Sequence, residues 1–372
     1  MRRQAEPLIV RLKSSPLMVS HMFPTTDSNL CAHSLVEQVL SLYALGAISR
    51  CRLHHRGLND TYKVEGSQGD TYFLRIYRAN WRSREEIETE IAILLHLARE
   101  KASVSIPVSR KDGQVITPLD CAEGGRWAAL FTCAPGKEVA SANAYNDELA
   151  GLYGEAVATI HSAADSFTGR RLRPALDLAE LLERPLQLLT SAIAHRPEDA
   201  AYINGLGDRL RLRIQGLPDL EIGFCHGDFH GWNACERNGA FTFYDFDCCG
   251  WGYRAYDLAV FPWAFAIRQN TTDRIEAMGR AFLKGYVRRR TLGTTDVDAI
   301  AAFVATRQIW LLGLHIGSGD RFGWGWINDD YFDRQLKVLR DWEKNWLSRP
   351  SAVWLQLHDE AATQQSSTSG NV

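Results

Sequence analysis

The apolar residues of this chain change their period once, at Ala134-Pro135-Gly136, and that change limits the folds open to it more than any other feature. Before the break, short strand-like runs at Thr61–Val64, Thr71–Tyr77, Gln114–Pro118 and Trp127–Cys133 dominate. The turn Gly66-Ser67-Gln68-Gly69-Asp70 joins the first two as a hairpin. A short amphipathic helix over His33–Leu45 precedes them. One long helix, Arg84–Glu100, carries Ile87, Ile91, Leu94, Leu95 and Ala98 at helical spacing. After the Pro-Gly break the pattern is helical: Asp147–Ala164, Leu176–Leu189, Asp199–Ile214, Tyr256–Arg268, Asp273–Arg290, Val297–Ile316 and Asp329–Leu347. Only short strand pieces around Phe224 and Phe241–Phe246 interrupt it. The expected fold class is therefore α+β and bilobal, with a small β-rich lobe holding one long helix and a larger, mainly helical lobe. The expected boundaries are an extension over 1–32, lobes over 33–134 and 135–358, and a Gln/Ser/Thr-rich disordered tail over 359–372.

Composition narrows the partners. The chain has 372 residues, enough for two lobes with sizeable cores, and a net charge of −2. That balance gives no reason to expect nucleic acid as a partner. No apolar run approaches the roughly 20 residues that span a bilayer, so no membrane partner is expected. Eight cysteines include no C-x-x-C pair, and Cys248–Cys249 are vicinal. With no secretory signal, they read as reduced thiols of a cytoplasmic protein. The first 23 residues carry arginines and one acid, Glu6. They read as a flexible extension, or as a start placed early, since Met18 and Met22 follow.

The chemistry concentrates in one stretch, His226 to Asp257. His226-Gly227-Asp228 is followed five residues after the Asp by Asn233, and a dozen residues later by Tyr244-Asp245-Phe246-Asp247. In phosphoryl transfer one Asp orients and deprotonates a hydroxyl, while an Asn and a second Asp hold magnesium. The order and spacing supply all three.

Three linked motifs give the chain a resemblance to the aminoglycoside phosphotransferase/choline kinase superfamily, small-molecule relatives of protein kinases. The pattern H-x-D-x-x-x-x-N matches His226, Asp228 and Asn233; the following h-D-[FW]-[DE] matches Asp245 and Asp247; the later Tyr-Asp-Leu-Ala matches Tyr256–Ala259. The likeness spans about residues 33 to 350 and implies a protein-kinase-like fold with ATP (GTP not excluded) and Mg2+ as cofactors. By that resemblance Asp228 is the catalytic base, and Asn233 and Asp245 are the metal ligands. Asp247 is either a metal helper or a supporting residue. His226 is structural, His230 stands where a protein kinase has a phosphate-touching Lys, and Asp257 anchors the loop through backbone amides.

The nucleotide end departs from the protein-kinase pattern. Its glycine-rich loop shrinks to Gly57-Leu58-Asn59-Asp60-Thr61, whose amides with the Asn59 and Thr61 side chains would cap phosphates. Arg75 replaces the usual lysine, as in homoserine-kinase-like relatives, and a planar fork suits both phosphate and carboxylate. Its expected partner is Glu90, with Glu86 as the fallback. Phe131, Thr132 and Cys133 lie where a hinge would meet adenine.

The acceptor is expected to be a small-molecule hydroxyl. Candidate contacts are Trp263, Asp320, Trp324, Trp326 and Asp330, since Trp faces stack on sugars or cations and acids meet amines. Asn328 or Asp329 should cap the helix that follows. An amino-alcohol, amino-acid or sugar kinase, an antibiotic-inactivating kinase and a stress-response Ser/Thr protein kinase all fit. A pseudokinase would have lost one of Asp228, Asn233 or Asp245.

Overall fold

The computed structural model describes residues 23–139 and 144–348. The expected disordered tail and most of the expected N-terminal extension lie outside the described residues.

A five-stranded antiparallel sheet forms the small lobe: β1 (Ile48–Arg56), β2 (Asp60–Gly66), β3 (Thr71–Tyr77), β4 (Ile116–Cys121) and β5 (Gly124–Thr132), in the order β1-β2-β3-β5-β4. The β2–β3 hairpin turns at Gly66–Asp70, where Gly69 takes φ +93°. α1 (Ala32–Gln38) covers one face, burying Leu35 and Val39 with Tyr62, Val64, Leu74 and Ile76. The amphipathic run expected to stay helical to Leu45 breaks at Val39 into a 3-10 turn. Tyr43 is extended and bridges to Arg110, which ends the helix. On the other face lies α2 (Arg84–Arg99), opened by a capping box in which Ser83 and Glu86 satisfy each other's backbone amides.

The α2 side chains Ile87, Ile91 and Leu94 belong to the same apolar cluster as the helical lobe. The core therefore runs through the lobe boundary. Phe243 of β10 (Ala240–Phe243) is hydrogen-bonded on both sides to Ser103 and Ser105, which stitches the segment after α2 to the large lobe.

The large lobe holds α3 (Asp147–Asp165), α4 (Arg184–Ala192), α5 (Pro197–Gln215), α6 (Arg254–Ala266), α7 (Thr272–Val287), α8 (Thr294–Gly317), the short α9 (Gly319–Phe322) and α10 (Asp329–Trp342). Asn328 caps α10 by accepting from the Tyr331 amide. Two small sheets carry the loops of interest. One joins β6 (Lys137–Glu138), β9 (Ala234–Arg237) and β10; the other joins β7 (Ala175–Leu176), β8 (Ile222–Cys225) and β11 (Gly250–Tyr253). Leu176, expected inside a helix, instead pairs with Gly252 in the second sheet. α8 is long and apolar enough to cross a membrane, but 78% of its apolar window is buried as the central helix of this lobe.

α3 and α7 cross at glycines. A Cβ on Gly154 would stand 1.9 Å from the Phe282 carbonyl oxygen, so the backbones meet with no side chain between them. Gly154→Ala must push α7 away, and chemical denaturation should show a loss of about 3 kcal/mol.

Three histidines in this lobe are held neutral. Burial lowers His161 and His226. Burial, with the charge of Arg307 beside it, pushes His315 down to about 4. The unfolded chain protonates such groups near pH ~6.5, so it binds more protons than the fold between there and about pH 4. Stability should fall as pH drops through that window, read as a falling urea midpoint. His315→Asn should flatten part of the slope.

Candidate active site

The residues singled out between His226 and Asp257 meet at the lobe boundary, and buried charge holds them there. Asp257, at the start of α6, is fully buried. Its two oxygens accept from the amides of His226 (2.7 Å) and Gly227 (2.8 Å) and from His161 Nε2 (3.0 Å). A buried carboxylate needs such donors, and here it fixes the backbone one residue before Asp228. His226 adds a second anchor, since its Nε2 donates to the Tyr244 carbonyl (3.0 Å) and its Nδ1 accepts from the Asp228 amide (3.2 Å).

Asp228 presents its carboxylate into a ring of donors. Oδ2 receives Asn233 Nδ2 (3.0 Å) and His230 Nε2 (3.2 Å). His230 Nδ1 accepts from the Trp232 amide, which leaves the ring proton on Nε2. Oδ1 receives Nη2 of Arg307, a residue of α8. Burial would raise this carboxyl's pKa, but His230 and the Arg307 guanidinium outweigh it and hold it well below the usual carboxylate range. These donors favour the charged form of the group.

Beside it, Asn233 donates from Nδ2 to the Asp228 carbonyl (3.1 Å) and to Asp228 Oδ2 (3.0 Å), which spends both amide hydrogens and leaves Oδ1 turned to other uses. Asp245 adopts a left-handed backbone, φ 63° and ψ 59°, uncommon for a residue with a side chain. Its carboxylate is half exposed, and its Oδ1 accepts from Arg75 Nη2 at 2.9 Å. One amide oxygen and one carboxylate, with phosphate oxygens and water completing the shell, fit what Mg2+ asks of a protein. Among the described residues no cluster of three His, Cys, Asp or Glu side chains offers a metal site.

Arg75, on β3, bridges two chain regions. Nη1 donates to Glu90 of α2 (2.8 Å), Nη2 to Asp245, and its plane lies over Phe131 at 5.1 Å. Tyr77 Oη donates to the other oxygen of Glu90 (3.1 Å). Glu86, the fallback partner, is spent on the cap of α2. Asp247 is buried and turned toward the small lobe, where Trp81 Nε1 (2.7 Å) and Arg82 hold it; its carbonyl takes Arg82 and Arg173. It braces the entry of α2 from the metal motif.

The remaining expectations scatter. Asn59 is buried, with Oδ1 accepting from the Arg78 amide (3.1 Å), and Thr61 pairs with Arg75 across the sheet. Gly57 lies under the His55 ring, and its carbonyl accepts from Arg321 (2.9 Å). Arg321 also reaches Asp60 (2.7 Å) and Asp27 (2.8 Å), tying the β1–β2 turn to the segment after α8. Cys133 is exposed past the end of β5, where Thr132 is fastened to Ile106 and Ser105. Trp263 packs against the Arg307 guanidinium. Asp320 accepts from Trp324 Nε1 (2.8 Å), Trp326 packs on His315 and Tyr331, and Asp330 is exposed in the first turn of α10. Arg307, Arg173, Trp81, Arg82 and Arg321 were not anticipated, whereas Trp310 belongs to the aromatic set expected around the acceptor. One signal was available for Arg307, the lone charge in the apolar run Ala299–Leu314.

Comparison with known proteins bears on the family and the fold. Residues 50–292 match the model of the phosphotransferase enzyme family. A Deinococcus radiodurans protein described as uncharacterized is 37% identical over 324 residues, 87% of this chain and 93% of its own. A homoserine kinase of Xanthobacter autotrophicus is 28% identical over 278 residues, 71% of this chain and 79% of its own. Among solved structures, an amicoumacin kinase in complex with AMP-PNP, Ca2+ and its antibiotic superposes with TM-score 0.68 over 84% of this chain and 93% of that one, at 18% identity, a likeness of fold. By the family match and the shared fold, this chain belongs to the phosphotransferase enzyme family.

Proposed function

We propose that this protein is an ATP- and magnesium-dependent kinase that transfers the γ-phosphoryl group to a hydroxyl of a small molecule, with Asp228 as the residue that receives the hydroxyl proton. The observation that carries this reading is that Asn233 bonds Asp228, Arg75 bonds Asp245, and the Asn233 carbonyl receives the Tyr244 amide beside Asp245, which joins the two pairs. The homoserine kinase relatives and the nucleotide-bound structural neighbour support it.

Asp228 first acts as an acceptor. Its carboxylate takes a hydrogen bond from the hydroxyl and points the oxygen lone pair at phosphorus. So acidic a group is a weak base for a free alcohol. The proton moves late, after the new P–O bond has begun to form and has acidified the hydroxyl. In the balance, the acceptor O–H and the bond to the β-phosphate oxygen break, the acceptor O–P bond forms, ADP leaves, and Asp228 holds the proton. Asn233 Oδ1 and Asp245 would hold magnesium, which supplies charge neutralisation at the phosphates. Arg75 keeps Asp245 in register with α2 and lends a permanent positive charge to the phosphate end.

An ATP-consumption screen over amino acids, amino alcohols, sugars and aminoglycosides, with a generic protein substrate alongside, tests the reading. ADP release with none of them defeats it, and labelling of the protein alone would move it to a protein kinase. Asp228→Asn and Asp228→Ala should each lower turnover by about 1000-fold while nucleotide affinity by calorimetry changes little. Asp245→Ala should weaken binding of the magnesium-nucleotide by about tenfold or more, with metal-free nucleotide less affected.

A further inference from the structure

Arg307 is held in a manner that its pairing with Asp228 does not account for. It sits midway along α8, is 2% exposed, and lies against two Trp rings, with the guanidinium carbon 4.7 Å from the Trp263 centroid and 4.2 Å from that of Trp310. Nη1 donates to the Gly227 carbonyl (3.1 Å) and to Tyr256 Oη (3.2 Å), and Nη2 to Asp228 Oδ1. Among the described residues the buried Nε–H has no acceptor. Nε and Nη2 form the edge of the fork that receives a carboxylate through two parallel bonds. Asp228 uses only its Nη2 end.

We propose that this edge receives a carboxylate of the phosphate acceptor, so that the acceptor is a hydroxy acid of amino-acid size. This rests on the kinase reading of Asp228 above. When an acceptor hydroxyl draws Asp228 Oδ1 to itself, Arg307 is left buried with a diminished counter-charge, a costly state for any cation. An acceptor carboxylate replaces that counter-charge and fills the open Nε–H. A neutral alcohol or an ammonium does neither, and the ammonium is also repelled. The site thus discriminates by leaving its own charge unpaired with the wrong ligand.

Of the acids expected to meet an amine, Asp320 is engaged by Trp324 and Asp329 by His195 and Arg196, while Asp330 is exposed on α10. A cleft of about 150 Å³ is walled by Cys248, Trp310, Trp81, Arg82 and Ser318; Asp228 and Arg307 do not line it, and it reaches them through Trp310 and Cys248. Trp310 is also the ring that clasps Arg307, and the Cys248 backbone lies against Gly227. Such a volume admits a benzene-sized guest.

The test uses full-length protein and compounds that differ by one carboxylate: L-homoserine against 3-aminopropan-1-ol, L-threonine against 1-aminopropan-2-ol, L-serine against ethanolamine, and glycerate against ethane-1,2-diol. ADP release should favour the acid in the best-used pair by on the order of 30-fold or more in kcat/KM, the scale of a charge-assisted hydrogen bond. Arg307→Lys keeps the charge and loses the fork, so it should raise KM for the acid about tenfold with KM for ATP unchanged. Equal or better use of the decarboxylated member overturns the carboxylate assignment and leaves the kinase reading standing. So does an Arg307→Lys enzyme whose kcat falls with no change in acceptor KM. ADP release with no hydroxyl compound, larger sugars and antibiotics included, overturns both.

Discussion

A single buried guanidinium joins the parts of this molecule that the chain keeps far apart. Arg75 binds Glu90 and Asp245, the latter 170 residues away. Glu90 is fully buried, and burial pushes its carboxyl up against the pull of Arg75 and Arg173. Remove Arg75 and an anion is stranded inside the apolar face of α2, a defect typically worth about 3–5 kcal/mol. Everything at the lobe boundary therefore has one arrangement that satisfies its charges. The sheet must present Arg75, α2 must turn Glu90 inward, and the metal motif must bring Asp245 up in its strained conformation.

The same logic repeats at a shorter range. Asp257 gathers two loop amides and His161, and Asp228 gathers Asn233, His230 and Arg307. Each anion is surrounded before any ligand arrives. The protein thus supplies preorganised donors rather than a strong base, which suits a reaction whose barrier lies in charge placement.

Much of this was legible in the sequence because it is local. The spacing from His226 to Asp257 fixes one loop and one turn, and helical periodicity located α2, α3 and α5 to within a few residues. β1 was missed, since Ile48–Arg56 is largely exposed and carries arginines and histidines in place of alternating apolar residues. Leu176 was read into a helix because its strand partner, Gly252, lies more than seventy residues away. Arg307 escaped for a related reason. A charge in an apolar helix announces that it has a partner, but nothing in the period of α8 says that the partner is Asp228. The aromatic residues of the second half were visible as candidates; Trp324 and Trp326 belong to the packing of their own segment, while Trp263 and Trp310 lie against Arg307.

The grip of Arg321 on Gly57, Asp60 and Asp27 has a consequence for how such a protein can diversify. The segment after α8 is fastened through this one side chain to the β1–β2 turn and to the stretch before α1. Insertions or exchanges in it therefore reach the small lobe as well. A graft of that segment between relatives would have to carry its small-lobe partners with it.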